Sequence, residues 1–279
     1  MKRNIFLLSL MSIGCCLFLC FKSSKYSDNV EESKNEKKIA RRSNLQQDDK
    51  NHIVFLTIES PSDSRYKDIF KALKNKNAMN DIVEDFNNTI KLPNDIEVIF
   101  SECDEENAFY NPETKKITVC YELIRKYVDL SDQKISLSEK IQQATTFSML
   151  HELGHALVDQ LEIPITGKEE NAVDEFALMM LLDSDNDKAI DNAVEGVLQF
   201  YYDSLDEENV NLTDVHAPNK ERYFDLLTLY IGSNEIADMK SWIGNEEDQL
   251  SPERAEGARA EYEQKRNSWD KLLREFYKK

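Results

Sequence analysis

Residues 144–158 read ATTFSMLHELGHALV, and the fold turns on how this stretch is understood. His151 and His155 stand four residues apart. On a helix they share one face, about one turn apart, so both imidazoles reach a single ion. Glu152 follows His151 directly and is placed to take a proton from a water held at that ion. Glu152 is the one carboxylate in the stretch and no Lys or Arg accompanies it. Such a low-charge surrounding strengthens the field of an ion and keeps its ligands oriented. Gly154 costs helix stability, so its presence signals a neighbour that packs close. The bland alternative is a core helix with two incidental histidines. With 4 histidines in the whole chain, a chance HExxH match is expected in roughly 1% of such sequences.

A catalytic zinc takes three protein ligands and leaves one position open. Downstream, Pro164–Gly167 reads as a turn and Lys168–Leu182 (KEENAVDEFALMMLL) as a second helix. Glu170 falls on the same stripe as Val173, Asp174, Ala177 and Leu181. A carboxylate on an apolar stripe is costly unless it is paired, and a metal ion is such a partner. Glu170 is therefore the candidate third ligand, with Glu169 as its rival. A solvated charge favoured by the helix dipole is the alternative for Glu169. Asp174, four residues beyond Glu170, and Asp159, four beyond His155, are candidates to accept an N–H from a ligand histidine. A His₂Glu set favours zinc, one ion per chain. His216 is the sole histidine late in the chain. It is either a donor to an oxyanion or a capping and packing residue, and both readings stand.

Outward from this centre the pattern is α+β. His52–Glu59 (HIVFLTIE) is β-branched and apolar, as in a strand. Tyr66–Ile90 has helical spacing, which Pro93 and Asn94 end. Asp95–Phe100 alternates like a strand. Ala108–Tyr110, the turn Asn111–Thr114 and Ile117–Tyr121 read as a hairpin. Cys103 and Cys120 flank it, so a disulfide between them staples it. Asn107 and Tyr110 are candidates to touch substrate, with a packed strand the stronger reading for Tyr110. From Leu123 the pattern is helical to the end, and 252–279 reads as a charged helix packed on the domain. A small N-terminal sheet with a stapled hairpin, followed by a helical half that carries HExxH, is the order of a zincin-like fold.

Lys2 and Arg3 precede an uncharged run from Ile5 to Phe21, which reads as a signal peptide or N-terminal membrane anchor over 1–22. Ile13-Gly14-Cys15 faintly resembles a lipobox, with Ser12 where that pattern wants Leu. Cleavage, retention and lipidation all stay open. Residues 23–50 are polar and charged, a flexible linker. The domain is 51–279. Export makes one disulfide the better reading for Cys103 and Cys120 than two free thiols. The expected location is periplasmic, extracellular or anchored at the outer face of a membrane. The formal net charge of −18 repels nucleic acid and anionic surfaces, so no nucleic-acid partner is expected.

HELGH at 151–155 followed by Glu170-Asn171-Ala172-Val173-Asp174 resembles gluzincin peptidases with an HExxH…ExxxD arrangement. It is similar also to ImmA/IrrE-type peptidases, where the ligand Glu precedes a Phe-Ala pair, as Glu170 precedes Phe176-Ala177. From about His52 onward the chain resembles an uncharacterised family of bacterial proteins read as zinc metallopeptidases and carried as a domain of unknown function. The residues that carry this likeness are Cys103, Asn107–Tyr110 and Cys120–Leu123; His151–Leu157, Pro164, Gly167, Glu169 and Glu170; and His216 with Arg222-Tyr223. Members often have a second cysteine pair near Thr228 and Ala258, which this chain lacks. The resemblance implies zinc-dependent hydrolysis of peptide bonds, with Glu152 activating water held by the ion. Two other readings compete. One is an envelope binding or scaffold protein that keeps the fold without turnover; the other is a zinc amidase acting on cell-wall peptides.

Overall fold

The computed structural model describes residues 51–75, 78–130, 135–182, 187–203, 219–234 and 238–278. The expected leader and linker, and His216, lie outside them. The architecture is mixed α+β, with four strands in the N-terminal half and helices dominating the rest. The strands are β1 (Val54–Ile58), β2 (Ile96–Ser101), β3 (Ala108–Asn111) and β4 (Lys116–Cys120). Their order across the sheet is β1-β2-β4-β3. β1 and β4 run parallel to β2, and β3 runs antiparallel to β4 at the edge.

The helical spacing over Tyr66–Ile90 corresponds to α1 (Lys67–Asn75) and α2 (Ala78–Thr89), which carry the chain from β1 back to β2. A parallel pair needs such a crossover. The expected hairpin is β3–β4. Asn111 makes its turn, its side-chain oxygen accepting from the Glu113 and Thr114 backbone N–H groups. Lys115 closes the turn at φ 58°. The disulfide Cys103–Cys120 ties the loop before β3 to the last residue of β4. Tyr121, expected to end the strand, instead begins α3 (Tyr121–Leu130).

Next comes α4 (Leu137–Gln160), whose start is fixed by a capping box between Ser136 and Glu139. This helix is buried on nearly all sides because the sheet and five helices pack against it. Ile96, Val98, Phe100, Ile117 and Val119 alternate onto one face of the sheet and are fully buried. α4 contributes Met149, Leu150, Leu153 and Leu157 to the same core. Glu162 takes φ 51° just past its end, and Ile163 N–H donates to the Val158 carbonyl. The chain then reverses into α5 (Glu169–Leu182). Among the described residues, three further α-helices follow: α6 (Asp187–Asp203), α7 (Asn219–Ser233) and α8 (Pro252–Leu273). Thr228 and Ala258 are both fully buried on α7 and α8, which pack together. At the C-terminus, Lys91 N–H donates to the Phe276 carbonyl and Lys278 N–H to that of Thr89, tying the last residues to the strand region.

Among the described residues, no helix is long and apolar enough to cross a membrane.

Candidate metal centre

The centre lies between α4 and α5, and Gly154 sets their separation. A Cβ built there would lie 2.8 Å from the Val173 Cβ and 2.9 Å from its Cγ1. No side chain fits, so glycine lets the helices approach closely enough for Glu170 to face the histidines.

Glu170 bridges the two imidazoles. Its Oε2 lies 3.3 Å from His151 Nε2 and its Oε1 lies 3.4 Å from His155 Nε2. One ligand atom from each of His151, His155 and Glu170 falls within 4.8 Å of the others, close enough to hold one metal ion. The other ring nitrogens are engaged elsewhere. His151 Nδ1 lies 2.7 Å from Asp174 Oδ1, and His155 Nδ1 lies 2.8 Å from Glu169 Oε1. With Nδ1–H donating to a carboxylate, each ring turns its Nε2 lone pair toward the common point. This donor set fits a divalent cation: two neutral imidazoles and one carboxylate converge, with open volume beside them.

Glu152 completes the cluster. Its carboxylate lies 4.0 Å from His151 Nε2 and is almost fully buried. Burial pushes its pKa up, against the pull of the two histidines, and the Tyr110 backbone N–H donates to it. The charges in the centre are strongly coupled. Burial pulls the His151 pKa down, but its hydrogen bonds to Asp174 and Glu170 outweigh this and hold it at about 9. Burial would raise Glu170, yet the two imidazoles hold it far below the ordinary carboxylate range. The carboxylates gathered around the two histidines make a site short of positive charge, which a cation supplies.

An open cleft of about 510 Å³ adjoins the cluster, bounded by Ala108 and Tyr110 of β3 on one side and by Glu152, His155 and Glu170 on the other. Asn107 lines it too. The edge strand thus runs along the cleft that holds the cluster.

The structure brings together His151, Glu152, His155, Glu170 and Asp174. The rival Glu169 sits on the far nitrogen of His155 rather than at the point of convergence. Asp159, expected beside a histidine, does something else. It accepts from the Tyr110 hydroxyl and the Lys115 ammonium, both at 2.7 Å, because the β3–β4 hairpin rather than α5 covers that part of α4. Sequence reasoning assigned no role to Arg222 or Tyr201. Arg222 Nε donates to Asp174 Oδ2 and its Nη2 to Oδ1, both at 2.7 Å, and its guanidinium lies 4.6 Å from the centroid of the Tyr201 ring. An available signal was the position of Arg222 on the stripe of Leu226 and Leu229, where a charge is out of place without a buried partner.

No curated protein and no solved structure matches the chain. Residues 58–273, which span strands β2 to β4, the hairpin and every residue of the cluster, match the model of the family DUF4344, described as “Putative metallopeptidase”. With more than half of its length matched in this way, the chain belongs to that family.

Proposed function

We propose that this protein is a zinc-dependent peptidase with a zincin-like active site, in which His151, His155 and Glu170 hold the ion and Glu152 is the general base. The observation that carries the reading is the convergence of two imidazole Nε2 atoms and one carboxylate on a single point, with a second carboxylate alongside. Membership in a family of metallopeptidase description supports it. Bound zinc supplies a Lewis acid that lowers the pKa of water and polarises a carbonyl.

The rest belongs to the chain's own residues. Glu152, its pKa raised by burial, takes the proton of the attacking water and delivers it to the departing amine. Asp174 and Glu169 hold the two imidazoles in the tautomer that presents Nε2. The outer edge of β3 offers backbone groups to an extended peptide, which fixes the scissile bond over Glu152. The cleft is open at its side, which suits a peptide segment better than an enclosed small molecule. Export to an oxidising compartment is part of the proposal, supported by the charged start and apolar run at residues 2–21 and by the disulfide.

The test is hydrolysis of a library of quenched fluorescent peptides by the zinc-loaded protein, beside Glu152→Gln. Cleavage that is lost in the variant and on chelation supports the reading. A folded, zinc-loaded protein that cleaves no peptide in the library contradicts it.

A further inference from the structure

We infer that Arg222, on α7, is a positioning residue of the metal centre and acts through Asp174. The inference rests on the metal-site reading above. Asp174 is 5% exposed, and both of its oxygens are committed. Oδ1 faces His151 Nδ1 and also accepts from Arg222 Nη2, while Oδ2 accepts from Arg222 Nε. A carboxylate that met only the imidazole would be free to turn about its terminal torsion, and the ring would turn with it. The guanidinium fork removes this freedom by donating to both oxygens at once. The Arg222 side chain is itself only 12% exposed, and its guanidinium rests against the Tyr201 ring.

The chain His151–Asp174–Arg222–Tyr201 therefore runs through four helices: α4, α5, α7 and α6. An ordinary surface ion pair does none of this. A lysine would keep the positive charge but not the fork, so charge and geometry separate experimentally. One consequence concerns assembly. The ligands lie on α4 and α5, yet the orientation of His151 depends on a residue that enters 48 positions after Asp174. The centre reaches full affinity only once α7 has docked.

The test is zinc affinity of the full chain, read by competition with a chromogenic chelator. Wild type is compared with Arg222→Met, Arg222→Lys, Asp174→Asn and the double variant Arg222→Met/Asp174→Asn. Outer partners of metal-bound histidines typically contribute about 10–100-fold in affinity. Arg222→Met is expected to lose that much, and Arg222→Lys a substantial part of it despite its charge. The double variant is expected to bind no more weakly than Asp174→Asn alone, because the arginine works only through that carboxylate. Circular dichroism of the metal-free proteins shows which variants are folded. Wild-type affinity in a folded Arg222→Met, or full additivity with Asp174→Asn, overturns the inference. If Arg222→Met does not fold, wild-type affinity in folded Arg222→Lys overturns it instead. If wild type itself takes up no zinc, the metal-site reading falls, and the inference with it. Normal zinc uptake by wild type and an unaffected Arg222 variant would sink the inference alone.

Discussion

Three glutamates stand within one small centre, and position alone separates their chemistry. Glu170 faces both Nε2 atoms, Glu169 faces the outer nitrogen of His155, and Glu152 lies beside His151 away from the point of convergence. Glu170→Ala removes one of the three proposed ligands and is expected to abolish stoichiometric zinc binding. Glu169→Ala leaves all three and is expected to weaken binding about 10-fold. Equilibrium dialysis distinguishes the two, and equal losses would count against the ligand assignment. Glu152→Gln keeps the shape of the side chain but cannot accept the proton. Its peptide hydrolysis should fall by about 10²–10⁴-fold while zinc content stays at the wild-type level. His151, Glu152 and His155 were legible because a helix fixes the relation of neighbouring positions. Glu170 was legible as a carboxylate on an apolar stripe. The choice between Glu169 and Glu170 depends on the angle of the α4–α5 hairpin, which no local pattern encodes. Arg222 was hidden for a related reason: its partner lies on another helix far along the chain.

At the scale of elements, two junctions place the cluster. The first is the α4–α5 contact at Gly154. Gly154→Ala improves helix propensity but forces a methyl into Val173 and Phe176. Overpacking of this kind costs about 1–3 kcal/mol, so a lower melting temperature and weaker zinc binding are expected together. A stabilised Gly154→Ala variant would contradict the close approach. The second junction pins the hairpin to α4 through Tyr110, Lys115 and Asp159. Burial raises the Asp159 pKa, and the Lys115 and Tyr110 bonds outweigh it to leave the group below its ordinary value. A carboxyl lowered in the folded state adds stability above its unfolded pKa of about 3.9, and this is lost as pH falls through the folded value. Wild type should therefore melt above Asp159→Asn near neutral pH, with the gap closing below about pH 4. A gap that persists to lower pH would show that the carboxylate is not the source. Helical periodicity put Asp159 on the correct side of the turn after His155. It could not tell which element covers that surface.

For the whole molecule, composition and patterning made the α+β class, the hairpin, the disulfide and the helical second half legible. The strand order was not, because β1 and β4 flank β2 through pairings remote in sequence. The disulfide closes a loop of 17 residues in sequence separation. A loop of that length restrains the unfolded chain by about 3 kcal/mol in the entropic view, so reduction should lower the melting temperature measurably. Reduction should also loosen β3, the strand that borders the cleft, and so raise KM for peptides more than it weakens zinc binding. Unchanged melting and KM in the reduced protein would show that the staple is dispensable. The most direct test of the centre is the metal content of the purified protein by elemental analysis, wild type beside Glu170→Ala and Glu169→Ala. One equivalent of zinc in wild type and in Glu169→Ala, with none in Glu170→Ala, is the predicted result. A correctly folded wild type that takes up no zinc or other transition metal on reconstitution would contradict it, and HELGH would then be a core helix.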